Sequence, residues 1–134
     1  MIAHVDQASA VPFRRRAGQV EFCVITSIRR GRWGFPKGII DPGETYLETA
    51  LKEAHEEAGL LGRIVGPPLG TYGHRKWGQR LAVVAVLMEV TAAQDRWEED
   101  RVRKRAWLNA ERARERLDRP TLQRLLETAL KRLG

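Results

Sequence analysis

The sequence predicts a mixed α/β domain, and three observations carry that prediction. Residues 81–90 form an almost wholly apolar, β-branched run of strand length. Residues 45–58 and 120–133 repeat apolar side chains at helical spacing. Shorter extended segments alternate with them, which indicates strands and helices packed in layers. A chain of 134 residues, 43% hydrophobic and 31% charged, suits one folded domain over residues 1–134.

Taken in order, residues 1–12 are expected as a loose lead-in. Residues 19–28 carry Val20, Phe22, Val24, Ile25 and Ile28 and read as a strand. Residues 29–32 read as a turn, and 33–36 as a short extended piece closed by Pro36. Asp41-Pro42-Gly43 marks a loop over 39–43. The helix expected at 45–58 has Thr45 and Glu48 at capping-box spacing, and Gly59 is placed to end it. Its buried face is expected to be Leu47, Ala50, Leu51, Ala54 and Ala58. Gly66, Pro67, Pro68 and Gly70 break 63–72, leaving at most one short or edge strand there. A short strand follows at 104–108, then a helical turn or short helix at 109–117. The last helix, at 120–133, has Pro120 in its first turn and Leu122, Leu125, Leu126, Ala129, Leu130 and Leu133 on one face.

No apolar run reaches the ~18 residues of a membrane helix, and the first residues lack the pattern of a secretory signal. Cys23 is the only cysteine, which excludes an internal disulfide and suits the cytoplasm. The net charge of +7 is unevenly spread. Residues 38–60 hold Asp41, Glu44, Glu48, Glu53, Glu56 and Glu57 against Lys52 alone, leaving 23 basic and 11 acidic residues elsewhere. An acidic island in a basic chain suits a site that holds metal cations and attracts a polyanion.

On a helix, Glu53, Glu56 and Glu57 fall within an arc of about 100°. Like charges at this spacing repel, so a cation is expected to offset them. Hard divalent ions bind oxygen clusters of this kind, and Mg²⁺ commonly binds substrate phosphate as well. His55 and His74 belong to no cluster of zinc ligands.

Gly38, Glu44, Glu53, Glu56, Glu57, Gly59 and Leu60 match the pattern Gly-x5-Glu-x7-Arg-Glu-U-x-Glu-Glu-x-Gly-U, where U is aliphatic. Ala54 is a small match to the first U, and Lys52 stands where the pattern has Arg. Over roughly residues 15–133 the chain therefore resembles the Nudix hydrolases. The resemblance implies a mixed β-sheet sandwiched between α-helices and hydrolysis of pyrophosphate linkages with Mg²⁺ or Mn²⁺. It implies that Glu53, Glu56 and Glu57 ligate the metal, with the Gly38 carbonyl as a further ligand, and that Glu44 orients the helix by pairing with Lys52. One of the box carboxylates, or Glu98 or Glu99 outside it, is the expected base.

Three basic groups are the expected holders of substrate phosphate: Arg29, Arg30, Arg32 and Lys37; His74, Arg75, Lys76 and Arg80, placed between strands; and Arg103 and Arg105, with Arg101 and Lys104. Tyr72, Trp77, Trp33 and Trp97 are candidates to stack on a base, with Trp77 the one expected to be exposed. Pro12-Phe13-Arg14-Arg15-Arg16, Trp33-x-x-Pro36-Lys37-Gly38, and Trp97-Glu98-Glu99 with Arg103-Lys104-Arg105-x-Trp107 resemble the diphosphoinositol polyphosphate phosphohydrolase branch. Pro36-Lys37-Gly38 and Leu47-Glu48-Thr49-Ala50 resemble the asymmetrical diadenosine tetraphosphate hydrolases. Animal members of the first branch usually have three glycines where this chain has Lys37-Gly38-Ile39, which counts against an inositol substrate. A small polyphosphate is thus the expected partner. A 5′-end RNA or nucleotide-sugar pyrophosphohydrolase and a non-catalytic nucleotide-binding module are the competing readings. Nucleic acid ranks below the small polyphosphate as partner, and no membrane is expected.

Overall fold

The computed structural model describes residues 4–134. Eight strands form one sheet: β1 Gln7–Arg16, β2 Gln19–Thr26, β3 Trp33–Gly34, β4 Lys37–Ile39, β5 Leu60–Ile64, β6 Gly70–Lys76, β7 Gln79–Ala93 and β8 Arg105–Asn109. Three helices, α1 Tyr46–Ala58, α2 Ala110–Arg116 and α3 Pro120–Leu133, complete it. The spine runs β3-β2-β1-β7-β5, with β4 on β1, β6 on β7 and β8 on β2. Only the β1–β7 pair is parallel; all the others are antiparallel.

Side chains alternate across the sheet, and the alternation sorts the core into two layers. Ala8, Ala10, Cys23, Ile25, Val84, Val86 and Met88 face α1 and meet Ala50, Ala54, Ala58 and Leu60. Val11, Phe13, Phe22, Val24, Ala85 and Leu87 face the other way and meet Ala113, Leu122, Leu125, Leu126 and Ala129 of α2 and α3. The expected sandwich of a mixed sheet between helices is present. Alanines on both sides of the α1 interface let the helix lie close to the sheet, which places its acidic stripe against the edge of β4.

Several expectations change. Residues 7–12 are not a lead-in: from Gln7 the chain is the buried central strand β1, and residues 1–3 of that expectation lie outside the described residues. Ala, Ser and Pro have weak strand preference, so QASAVPF gave no local signal. Here β1 is held by β7 and buried on both faces. Residues 63–72 hold parts of two strands rather than at most one, and His74, Arg75 and Lys76 lie on β6 rather than in a loop. Ile39, expected in a loop, closes β4. On α1 the capping box at Thr45 and Glu48 forms in full, and Gly59 caps at φ 69°. Its buried face is rotated from the expected one. Thr49 and Glu57 are buried, while Leu47 is exposed, because polar partners on β4 and the preceding loop draw that side inward. Helix α3 has the expected bounds.

Candidate active site

The site begins at β4, whose three residues lie between the acidic helix and the opposite face of the sheet. Glu57 is buried, and its Oε1 accepts a hydrogen bond from the Lys37 backbone N–H at 3.1 Å. Its Oε2 lies 3.2 Å from the Arg103 guanidinium, which also donates to Glu99 at 2.6 Å and to the Thr26 carbonyl at 3.1 Å. Glu53 lies directly against Gly38. A methyl group built on Gly38 would overlap the Glu53 carboxyl, so only glycine leaves this carboxylate room beside the β4 backbone. Burial raises the pKa of both acids, that of Glu57 to about 8, and the two carboxyls disturb each other. Arg103 opposes the rise at Glu57, and Glu56 adds to it at Glu53.

A brace precedes the helix. Lys52 Nζ donates to both Glu44 oxygens, at 3.0 and 2.8 Å, and to Asp41 at 3.2 Å. Glu44 also accepts from the Thr49 hydroxyl at 2.9 Å and from the Asp41 N–H at 3.3 Å. These donors lower the Glu44 pKa, Lys52 most of all. The carboxylate thereby holds loop 41–44 to α1.

The other end of α1 is tied to the segment before β8. Trp97 Nε1 donates to the Glu57 carbonyl at 2.9 Å, Arg105 to the Ala58 carbonyl at 2.7 Å and the Glu99 N–H to the Glu56 carbonyl at 3.2 Å. These bonds satisfy carbonyls that a helix end leaves open. Arg105 stacks on Trp97 with 4.2 Å to the ring centroid. Arg105, expected among the phosphate binders, has its guanidinium engaged at the helix terminus in this structure.

The basic groups divide by face. Ser9 pairs with Lys37, Gln7 with Ile39 and Val83, Val83 with Tyr72, Leu81 with His74, and Gln79 with Lys76. Cross-strand partners share a face, so Lys37, Tyr72, His74 and Lys76 stand together on the α3 side. Arg75 and Arg80 pair on the opposite side, with the Arg80 guanidinium over Gly73. Arg29, Arg30 and Arg32 lie in the exposed β2–β3 turn, where Arg32 meets Asp118 at 3.3 Å. The α3-side row is crowded with positive charge. Burial lowers the Lys37 pKa, with Lys76 and Arg119 adding to the effect. Burial together with Lys37, Lys76 and Arg119 holds His74 neutral, down at about 4. Arg119, which starts α3, joins this row although no sequence spacing connects it to the others. Trp77 is 74% exposed at the β6–β7 turn with φ 54°. Trp33, Trp97 and Trp107 are half-buried, with Trp107 under Arg14 and Trp33 under Arg116. Burial raises the Tyr72 phenol to about 12.

Donor chemistry at the carboxylate end fits a hard divalent cation. Glu53, Glu57 and the Gly38 backbone present oxygen, and two neighbouring carboxyls whose ionisation is opposed by burial are what a cation relieves. Among the described residues the acids are not drawn into a ready-made three-ligand cluster.

Fold and site define a class: an α/β sandwich whose acidic helix meets a cation-lined face across one short edge strand. The family model for the NUDIX domain matches residues 4–129, and the chain belongs to that family. It is similar to Nudix hydrolase 12, mitochondrial, of Arabidopsis thaliana, with 31% identity over 94% of this chain; the chain spans 64% of that relative's length. It is 39% identical to the asymmetrical bis(5′-nucleosyl)-tetraphosphatase of Caenorhabditis elegans over 42% of this chain and 41% of that one. A crystal structure of a C. elegans Ap4A hydrolase binary complex superposes with a TM-score of 0.84 at 26% identity, covering 97% of this chain and 98% of the other. No helix among the described residues is long and apolar enough to cross a membrane.

Proposed function

We propose that this chain is a Mg²⁺- or Mn²⁺-dependent pyrophosphohydrolase that cleaves a phosphoanhydride bond in a dinucleoside polyphosphate by attack of water. One observation carries the reading: half-buried Glu53 and buried Glu57 meet the cationic face at Lys37, so a metal-binding end and a phosphate-binding end adjoin across three residues of strand. The similarity to Ap4A hydrolase supports the substrate class.

Glu53, Glu56, Glu57 and the Gly38 carbonyl are the residues that would hold the metal, which when bound neutralises phosphoryl charge and acidifies a water. Arg103 orients Glu57 and keeps its second oxygen paired. Glu99, bonded to Arg103 and close enough to raise the Glu53 pKa, is better placed to take the proton of the attacking water than exposed Glu98. Lys37 and Lys76 neutralise the phosphates that remain. Glu44 and Lys52 fix the start of the acidic helix.

The test is a hydrolysis panel with Mg²⁺: diadenosine tetra-, penta- and hexaphosphate, diphosphoinositol polyphosphate, ADP-ribose, nucleoside triphosphates and 5′-triphosphate RNA. Diadenosine polyphosphates should lead it. Glu57→Gln should lower kcat at least about 100-fold, the scale on which misplacing reacting groups acts. Preference for simple nucleoside triphosphates would overturn the substrate. No turnover of any member by the wild-type chain would overturn the enzyme.

A further inference from the structure

Arg119 is the one member of the cationic row that the sequence does not point to, and its surroundings are those of a binding group. Its Nη2 donates to the Trp33 carbonyl at 2.9 Å, which fixes the guanidinium across the gap between β3 and the start of α3. Gly34 leaves the space for it: a Cβ there would stand 2.9 Å from Nη2. The Arg119 Nε is buried with no hydrogen-bond partner. An arginine presents five donors, and a buried donor left unpaired is costly. The neighbouring carboxylate does not serve it, because Asp118 is paired with Arg32. Among the described residues no acidic side chain forms an ion pair with Lys37, Lys76 or Arg119. Lys37, Lys76 and Arg119 thus stand near a neutral imidazole without an ion-pair partner, and the one with the fork geometry for a phosphate carries the unpaired donor.

We propose that Arg119 binds substrate, closing with Lys37, His74 and Lys76 a phosphate subsite on the α3 side of the sheet that holds phosphates beyond the one attacked. The subsite rests on the pyrophosphohydrolase reading and deepens it. The row leads from Lys37, beside Glu57, along β6 toward the Trp77 turn, so it serves the length of a polyphosphate chain rather than the reacting phosphorus.

The first measurement is calorimetric titration of inorganic tripolyphosphate, with chelator present, into wild type, Arg119→Gln, Arg119→Lys and Lys76→Gln. Arg119→Gln should weaken binding about tenfold, the scale of one charge-assisted hydrogen bond. Arg119→Lys should restore part of the loss, because charge returns without the fork. In turnover the loss should fall on KM rather than kcat, and should be larger for diadenosine penta- and hexaphosphate than for ADP-ribose, which has only two phosphates. Unaltered tripolyphosphate affinity in Arg119→Gln at wild-type Tm would overturn the subsite. So would an equal KM change for short and long chains, since a strut between Trp33 and α3 does not count phosphates. If Arg119→Gln fails to fold, Arg119→Lys and Lys76→Gln decide: tripolyphosphate affinity equal to wild type in both overturns the proposal. A wild-type chain that hydrolyses nothing yet binds tripolyphosphate through Arg119 would sink the enzyme and keep the subsite. Turnover of diadenosine polyphosphates indifferent to Arg119 would do the reverse.

Discussion

Gly38 shows how a single missing side chain shapes the site. Its backbone is ordinary strand, so conformational freedom is not what it supplies; it supplies emptiness where the Glu53 carboxyl lies. Gly38→Ala must push Glu53 or β4 aside. We expect a fall of about 100-fold in kcat/KM, the cost of an ångström-scale misplacement, with Tm little altered because the site is at the sheet edge. Activity and Mg²⁺ affinity equal to wild type would refute this. Gly59 combines two demands, a left-handed φ of 69° and contact with the Trp97 side chain, whose Cβ would lie 2.9 Å from a Cβ at residue 59. Sequence spacing exposed the first of these, a helix stop. The second depends on residue 97 folding back, which spacing does not encode.

Among the elements, α1 was legible because its signals are local. Thr45, Glu48 and Gly59 act within one turn of the chain, and both the capping box and the left-handed cap form. Thr45→Ala removes the side-chain acceptor for the Glu48 N–H and should cost about 1 kcal/mol of stability, read from the shift in denaturant midpoint. A midpoint unmoved within error would show that tertiary contacts alone hold the helix start. Strand β1 was illegible for the opposite reason. Its hydrogen bonds are supplied by β2, β4 and β7, up to some 80 residues away in sequence. Its composition reflects close packing under α1 rather than intrinsic strand preference. The rotated face of α1 has the same origin: Glu57 turns inward because Lys37 and Arg103 wait there.

For the molecule as a whole, the two charged ends respond to pH in opposite senses. Glu57, raised by burial to about 8 from 4.5, binds its proton more tightly folded than unfolded. Its contribution to stability is full below the unfolded pKa and is lost as pH rises through the folded one. His74, lowered to about 4 from 6.5, binds its proton more tightly unfolded, so its contribution is lost as pH falls through that interval. Between about 6.5 and about 8 the acidic pair acts without His74. Chelator-treated protein should therefore lose stability as pH rises across that window, and Glu57→Gln should flatten the slope. Denaturant unfolding at both ends of the window checks it; a wild-type slope of opposite sign would show that Glu57 is ionised in the fold.

The sequence by itself determined the α/β class, the capped acidic helix and the family pattern of carboxylates, since each is written in neighbours along the chain or at fixed helical spacing. Only the tertiary structure decided where the cations stand. Arg105 turns to a helix end, Arg75 and Arg80 stand on the α1 side, and Lys37, His74 and Lys76 stand on the α3 side from β4 and β6. The face on which a strand residue stands depends on pairing register, and register is settled by long-range packing rather than by the residues themselves.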